Sequence, residues 1–392
     1  MIRLTGATLV LPDRLIDRGE LAIEQGRIAE ITAAGSAGGR TLEGHYVVPA
    51  FVDVHVHGVL GIDALDGGDA IAAIAARLPR FGVAAFCPTS VACPPRELRE
   101  LLRGVAAASG MPARGSARVL AAHLESNFIN PAYHGAQPLG CLRTPHEAPD
   151  GQFSGQQVLD EIEAAARHVG IVTVAPEVDG VLDIIPMLVS NGHCVSLGHS
   201  GATYEQARAG IAAGARHATH LFNRMTPLNH RDPGLTGAVL ESGDAAAEII
   251  CDGVHVHPAA IRAAVAAKGV DRIMAITDGT GGSGMPEGSR ATLGGRPITV
   301  GNAAYLDDGT LAGSVLTMDR AFRMLVSMDF SLVQAARLCA TTPARQRGLR
   351  SGCLVPGAPA DLVVLDERLE VVETWIAGEP VYSRLEGAHR VT

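Results

Sequence analysis

Two histidines separated by a single residue, His55 and His57 in FVDVHVHG, open the chemistry of this chain. On a strand such neighbours project to the same face, so one short segment offers two imidazoles to one ion. Glu125 in HLES, His199 in GHS and His220 in THLFN each close a further short apolar run. Imidazole and carboxylate in this mixture suit Zn²⁺ or a similar divalent ion, and open positions on such an ion make a site catalytic rather than structural. A lone histidine of this kind is ordinarily a hydrogen-bonded core or rim residue. Five donors on four runs change that expectation to a metal site. Asp278, in ITDG, ends another run and is placed to take a proton from water at such an ion and return it to a leaving group. Its ordinary alternative is a cap or turn carboxylate before GTGGSG.

Other polar residues fall around these. His255 in DGVHVH is placed to hydrogen-bond a substrate, whereas His257, just before Pro258, reads as a loop or capping residue. Arg231 in NHRDPG sits in a loop where a guanidinium can meet a phosphate bidentately, the alternative being a solvated surface arginine. His123, one strand period before Glu125, points the same way but deeper, beside the ligands rather than among them. His217, three residues before His220, is expected to face the opposite side of its strand and to be structural, as is His389. Glu177 in VAPE also ends a run and has no assigned role.

Such residues need a scaffold that brings many strand ends to one rim. Eight short apolar runs, at 46–54, 83–90, 118–125, 171–177, 193–199, 216–222, 248–254 and 271–278, alternate with amphipathic helical patterns such as 97–108, 158–169 and 204–214. Eight strands with a helix after most of them fit a TIM-type (β/α)8 barrel, an α/β fold, better than an open doubly wound sheet, and no GxGxxG follows the first strand. In such a barrel the active site lies at the carboxyl ends of the strands. Residues 1–45 and 347–392 read as strand and turn. They are expected to form a small β-sandwich built from both termini around a barrel over 46–346, rather than each plugging the barrel floor separately.

Composition narrows the function. The 392 residues are 47% hydrophobic and 19% charged, which is a folded globular composition. A chain of this length buries roughly 75% of the surface it exposes unfolded, so a metal would be present for chemistry and not for bulk stability. The net charge of -9 is spread without a run of five like charges, which argues against a nucleic-acid or acidic-membrane surface. Seven cysteines, an odd number without a CxxC pair, read as reduced thiols of a cytoplasmic protein. Neither a signal-peptide pattern nor 18 uninterrupted apolar residues is found, so neither secretion nor membrane spanning is expected.

Taken in order, FVDVHVHG, HLES with INP after it, VAPE, GHSGAT, ATHLFNRM, HRDPG, ICDGVHVHP, ITDG, GTLAGSVLTM and ATTPAR resemble the amidohydrolase superfamily over nearly the whole chain, and within it the amino-sugar-phosphate deacetylases. The resemblance implies a divalent metal on Glu125, His199 and His220, with Asp278 as general base and acid. It implies one or two ions, because members with HxH on the first strand bind two. It also implies that His255 contacts the sugar, that main-chain groups around Asn223 and Arg224 orient it, and that Arg231 reaches the phosphate from the partner subunit of a homodimer. The expected reaction is conversion of N-acetylglucosamine 6-phosphate to glucosamine 6-phosphate and acetate. Three departures from the family pattern stand out. Ser126 and Asn127 replace a glycine and a proline, Gln137 stands where the family has a substrate-polarising histidine, and Gly279 replaces an alanine. These leave metal and base in place and bear on the substrate. The alternatives are therefore hydrolysis of a different N-acyl or cyclic amide and, from another class, a catalytically silent interaction protein.

Overall fold

The structure, a computed structural model, describes residues 1–33, 38–111, 113–147 and 152–384; His389 and the end of the expected sandwich lie outside them. Eight parallel strands form the barrel: Phe51–Val56, Val83–Ser90, Ala122–Glu125, Val169–Val174, Cys194–Leu197, His217–Ala218, Ala246–Ile250 and Ile273–Ile276. The second and fourth are buried along their whole length, as apolar runs covered on both faces should be. Registers such as Leu124↔Val172, Val172↔Val195, Leu197↔Ala218 and Ile249↔Ala275 carry the ladder round. It closes where the first strand meets the eighth. The His57 and Gly58 N–H groups both donate to the Gly279 carbonyl at 2.8 Å, and Asp278 N–H donates to the His55 carbonyl at 3.1 Å.

The expected first run, 46–54, divides. Tyr46–Pro49 pairs with Leu362–Leu365 in the terminal sheet, and Phe51–Val56 alone joins the barrel. Pro49 has no N–H for a ladder, Ala50 N–H turns to the Asp361 carbonyl and Phe51 N–H to the Gly82 carbonyl, so the chain changes sheets between them. The third run is also interrupted, with Arg118–Val119 paired separately to the second strand. From the fourth strand onward the strands stop short of the apolar patterns at their carboxyl ends; 216–222 contributes only His217–Ala218.

Both termini build one eight-stranded sheet, whose path runs Glu379–Ser383, Val371–Ile376, Leu362–Leu365, Tyr46–Pro49, Ile2–Val10, Leu15–Glu24, Arg27–Thr32, with Arg40–Thr41 beside Ile2–Val10. It has its own core of Leu4, Leu9, Leu21, Ile28, Val47, Leu362, Val364 and Trp375. Each such side chain contributes roughly 1.5–3 kcal/mol by burial. The buried Asp361 receives both guanidinium nitrogens of Arg118 at 2.7 and 2.6 Å, which ties this sheet to the barrel.

Helices cover the barrel. Tyr204–Ala213 and Gly155–Ala164 begin with full capping boxes on Thr203 and Ser154. Pro95–Gly110 contains the expected 97–108 pattern, whereas the 158–169 pattern ends early, at Ala164. The sequence pattern did not announce every element. A three-stranded antiparallel sheet, Arg290–Leu293, Arg296–Val300 and Ala304–Leu306, is inserted after the eighth strand. Among the described residues no helix is long and apolar enough to cross a membrane.

Candidate active site

The first strand carries His55 by simple alternation, and His57 follows its last residue. Glu125 is the final residue of the third strand, while His199, His220 and Asp278 each lie two residues beyond the ends of theirs. Those last three sit in the left-handed region, with φ of 47°, 30° and 49°. A non-glycine residue there is strained, and such strain persists where the surroundings over-determine it, commonly at functional sites.

The side chains converge. Glu125 Oε1 lies 2.9 Å from His199 Nε2 and 2.7 Å from His220 Nε2. The two ring nitrogens face each other at 3.1 Å. His55 Nε2 and His57 Nε2 face each other at 3.2 Å, and Asp278 Oδ1 lies 3.3 and 3.2 Å from them. Glu125 spans the two groups, its Oε2 being 3.5 Å from His57 Nε2. All five ligand candidates are buried. His199 Nδ1 donates to the Tyr133 carbonyl at 2.9 Å, which leaves its Nε2 lone pair turned inward. Imidazole nitrogens turned toward one another around a carboxylate repel unless a proton or a cation lies between them. This donor set fits a divalent metal, as Glu125–His199–His220 and as His55–His57–Glu125.

The local fields are strong. Burial drives His55 well below its ordinary value. Burial pulls His57 the same way, but hydrogen bonds and negative charge from Asp278 and Glu125 outweigh it and raise the imidazole to about 10. Burial raises Glu125, yet the charge of His199 and hydrogen bonds from His199, His220 and His57 hold its carboxyl well below the usual range.

Above this cluster a cleft is lined by His57, Glu125, Gln137, His199, His220, Asn223, Arg224, His255 and Asp278, with Leu293, Leu311 and three small residues. His55 lies beneath the lining. Arg231 lies outside it, exposed on its loop, its main-chain N–H donating to Asn229 Oδ1. His255 Nδ1 lies 2.6 Å from Asp252 Oδ2, so Nε2 is the nitrogen left for a ligand. His257 caps the helix Pro258–Lys268 through Nδ1, as expected.

The departures from the family pattern fall in different places. Ser126 Oγ donates to the Thr173 carbonyl at 2.6 Å, and Asn127 Nδ2 donates to the Cys93 and Cys141 carbonyls. Ser126 is tied to the fourth barrel strand, Asn127 braces two loops, and neither lines the cleft. Gln137 does line it. Its Oε1 accepts from Ala92 N–H at 2.7 Å, which directs Nε2 to donate to Glu125 Oε2. A Cβ on Gly279 would fall 2.7 Å from Ser283 Oγ, so close packing there suits glycine.

His123 is deep as expected, 2.8 Å from Thr173 Oγ1. His217 corrects the alternation argument: its Nε2 lies 3.7 Å from the carboxyl of Glu248, which also meets His55 and His123, so it faces the same interior and not the opposite side. The strand ends at Ala218 and the backbone turns left-handed at His220, so counting by twos across that break fails. Glu177 accepts from Asn130 Nδ2 and Ser200 Oγ and braces two loops of the rim. Sequence reasoning missed Asp252 and Glu248. Asp252 had a signal in its place three residues before His255, while Glu248 had only its position as a charged residue inside an apolar run.

Residues 46–381 match the amidohydrolase family. Among similar proteins are an N-acetylgalactosamine-6-phosphate deacetylase of Escherichia coli O157:H7, 36% identical over 95% of this chain and 97% of that one, and an N-acetylglucosamine-6-phosphate deacetylase of Homo sapiens, 36% identical over 94% and 90%. A solved structure of an N-acetyl-D-glucosamine-6-phosphate deacetylase variant from Mycobacterium smegmatis, in complex with N-acetyl-D-glucosamine-6-phosphate, superposes with a TM-score of 0.87 at 34% identity, covering 97% of this chain and 99% of that one.

Proposed function

We propose, from the premise that this chain belongs to the amidohydrolase family, that it hydrolyses the acetamide of an N-acetylated amino sugar phosphate, N-acetylglucosamine 6-phosphate, to glucosamine 6-phosphate and acetate. The observation that carries this reading is the meeting of Glu125, His199 and His220 with Asp278 under a cleft walled by His255, Asn223 and Arg224. The names of the similar proteins supply the substrate class.

Glu125, His199 and His220 would hold a divalent ion, Zn²⁺ by the character of the donors, and His55 with His57 would offer a second place. When bound, such an ion polarises a carbonyl and acidifies water. Asp278 accepts the proton of the attacking water and returns it to the departing amine, one group serving as base and then acid. His255, its Nδ1 engaged by Asp252, offers Nε2 to a sugar hydroxyl. Asn223 and Arg224 orient the sugar through the main chain beside His220. Gln137 bounds the acyl side through its contact with Glu125. Arg231, exposed and outside its own cleft, serves the phosphate of a partner subunit in a homodimer. The enzyme works in the cytoplasm.

A second reading changes only the sugar. The E. coli relative named for N-acetylgalactosamine 6-phosphate matches as well as those named for the gluco epimer. Acetate release from both epimers, with and without phosphate and with an N-acyl series, separates the readings. The Zn²⁺-loaded enzyme should turn over N-acetylglucosamine 6-phosphate with kcat/KM in the ordinary range of about 10⁴–10⁸ M⁻¹s⁻¹, and a value below roughly 10² M⁻¹s⁻¹ overturns that substrate. Mixing Arg231→Ala with Asp278→Asn chains should restore activity through one intact hybrid site. No recovery after demonstrated subunit exchange removes Arg231 from a shared site.

A further inference from the structure

Inside the barrel, below the cleft, a carboxyl group stands where branched apolar side chains ordinarily fill the layers. Glu248 is the middle residue of the strand Ala246–Ile250 and is fully buried. Its Oε2 lies 2.9 Å from His55 Nδ1 and 3.2 Å from the main-chain N–H of His220. The Glu248 carbonyl also accepts the N–H of Leu221 at 2.9 Å. One residue therefore grips the ring of His55 and both peptide groups around His220, which belong to different candidate ligand groups.

A main-chain N–H can only donate, so Oε2 accepts from His220; with the His55 Nε2 lone pair given to the cation site, His55 carries its proton on Nδ1 and donates it to the same oxygen. Its Nε2 then carries a lone pair toward His57 Nε2 at 3.2 Å and Asp278 Oδ1 at 3.3 Å. The same Oε2 bond holds the peptide that enters the left-handed turn at His220.

Stability alone does not account for this carboxyl. Its other oxygen, Oε1, has no hydrogen-bond partner among the described residues; His123 Nδ1 is 3.5 Å away and His217 Nε2 3.7 Å, and neither ring nitrogen of His217 has a hydrogen-bond partner there. A buried polar group left in this state is unfavourable, and a leucine would fill the layer without that cost.

We propose that Glu248 is a positioning residue for the metal site: by accepting from His55 Nδ1 and His220 N–H with one oxygen, it fixes the donor atom of the first group and the backbone of the second. The inference rests on the cation site proposed above.

Zn²⁺ affinity of the purified full-length protein, measured by competition with a chromophoric chelator, tests it without reference to turnover. Glu248→Leu should weaken Zn²⁺ binding about 10- to 100-fold, the usual effect of losing a group that orients a ligand. Glu248→Gln, whose carbonyl oxygen can occupy the same place, should recover most of that loss. On a His55→Ala background the effect of Glu248→Leu should shrink, because the ring it orients is gone, whereas a merely structural role costs the same in both backgrounds. Unchanged affinity in Glu248→Leu, or an equal loss on both backgrounds, overturns the proposal. Should the leucine variant fail to fold, Glu248→Asp, with the carboxyl drawn back by one methylene, must bind Zn²⁺ more weakly than Glu248→Gln, and equal affinities overturn it. A wild-type protein that binds no Zn²⁺ overturns the cation site itself.

Discussion

The histidines of the site are held in two different ways. His199 and His220 stand past the ends of their strands on left-handed backbone, and His199 takes its orientation from a loop carbonyl, that of Tyr133. His55 lies on a regular strand and His57 directly follows it, so ordinary pleat geometry aims the pair, and His55 is fixed from inside the barrel by Glu248. His199 therefore depends on a loop that walls the cleft and the HxH pair on the packed interior, while His220 is held from inside as well, its N–H donating to Glu248 Oε2. Glu125 joins the two groups, one oxygen to each.

The largest expected effect tests the residue nearest the pair. Asp278→Asn should keep Zn²⁺ but lower kcat by about 10²–10⁴-fold, since an amide cannot accept and return the proton. A variant within tenfold of wild type, by acetate release, removes Asp278 from proton transfer. Next, the two groups should differ in their grip on metal. His199→Asn should lose more than the roughly 10- to 100-fold affinity that an outer partner provides, and His57→Asn should lose less. Equal losses in a chelator competition would dissolve the distinction between them. The smallest effect concerns the amide that touches the shared carboxylate. Gln137→His should change kcat/KM for N-acetylglucosamine 6-phosphate by less than about tenfold, the worth of one ordinary hydrogen bond. A gain beyond that would show a pocket shaped by Gln137 for another acyl or sugar group.

What could be read in the residues beforehand follows the same division. The HxH spacing is a strand-period signal, and a strand obeyed it. Glu125 was legible for the same reason, as the last residue of a strand, and the run of apolar segments announced the barrel that carries both. His217 was misread because the two-residue period was carried past Ala218, where no strand remains. The inserted sheet at 290–306 escaped because its strands are three to five residues long and half-exposed, too short to show a period. Glu248 and Asp252 act on histidines through space or across a turn, and nothing in their immediate neighbours announces a partner 193 residues away in the case of His55. Ser126 and Asn127 stood out as departures beside a metal ligand, yet their hydrogen bonds go to carbonyls of the fourth strand and of two loops, a direction that only the fold decides.

The left-handed turns at His199, His220 and Asp278 set folding against chemistry. Asparagine and glycine tolerate that backbone better than histidine or aspartate, so each site carries strain of order 1 kcal/mol that a substitution could relieve. Exchange of any of them for asparagine or glycine would relax the backbone and remove a side chain of the candidate site at one stroke, so at these three positions melting temperature and turnover pull in opposite directions.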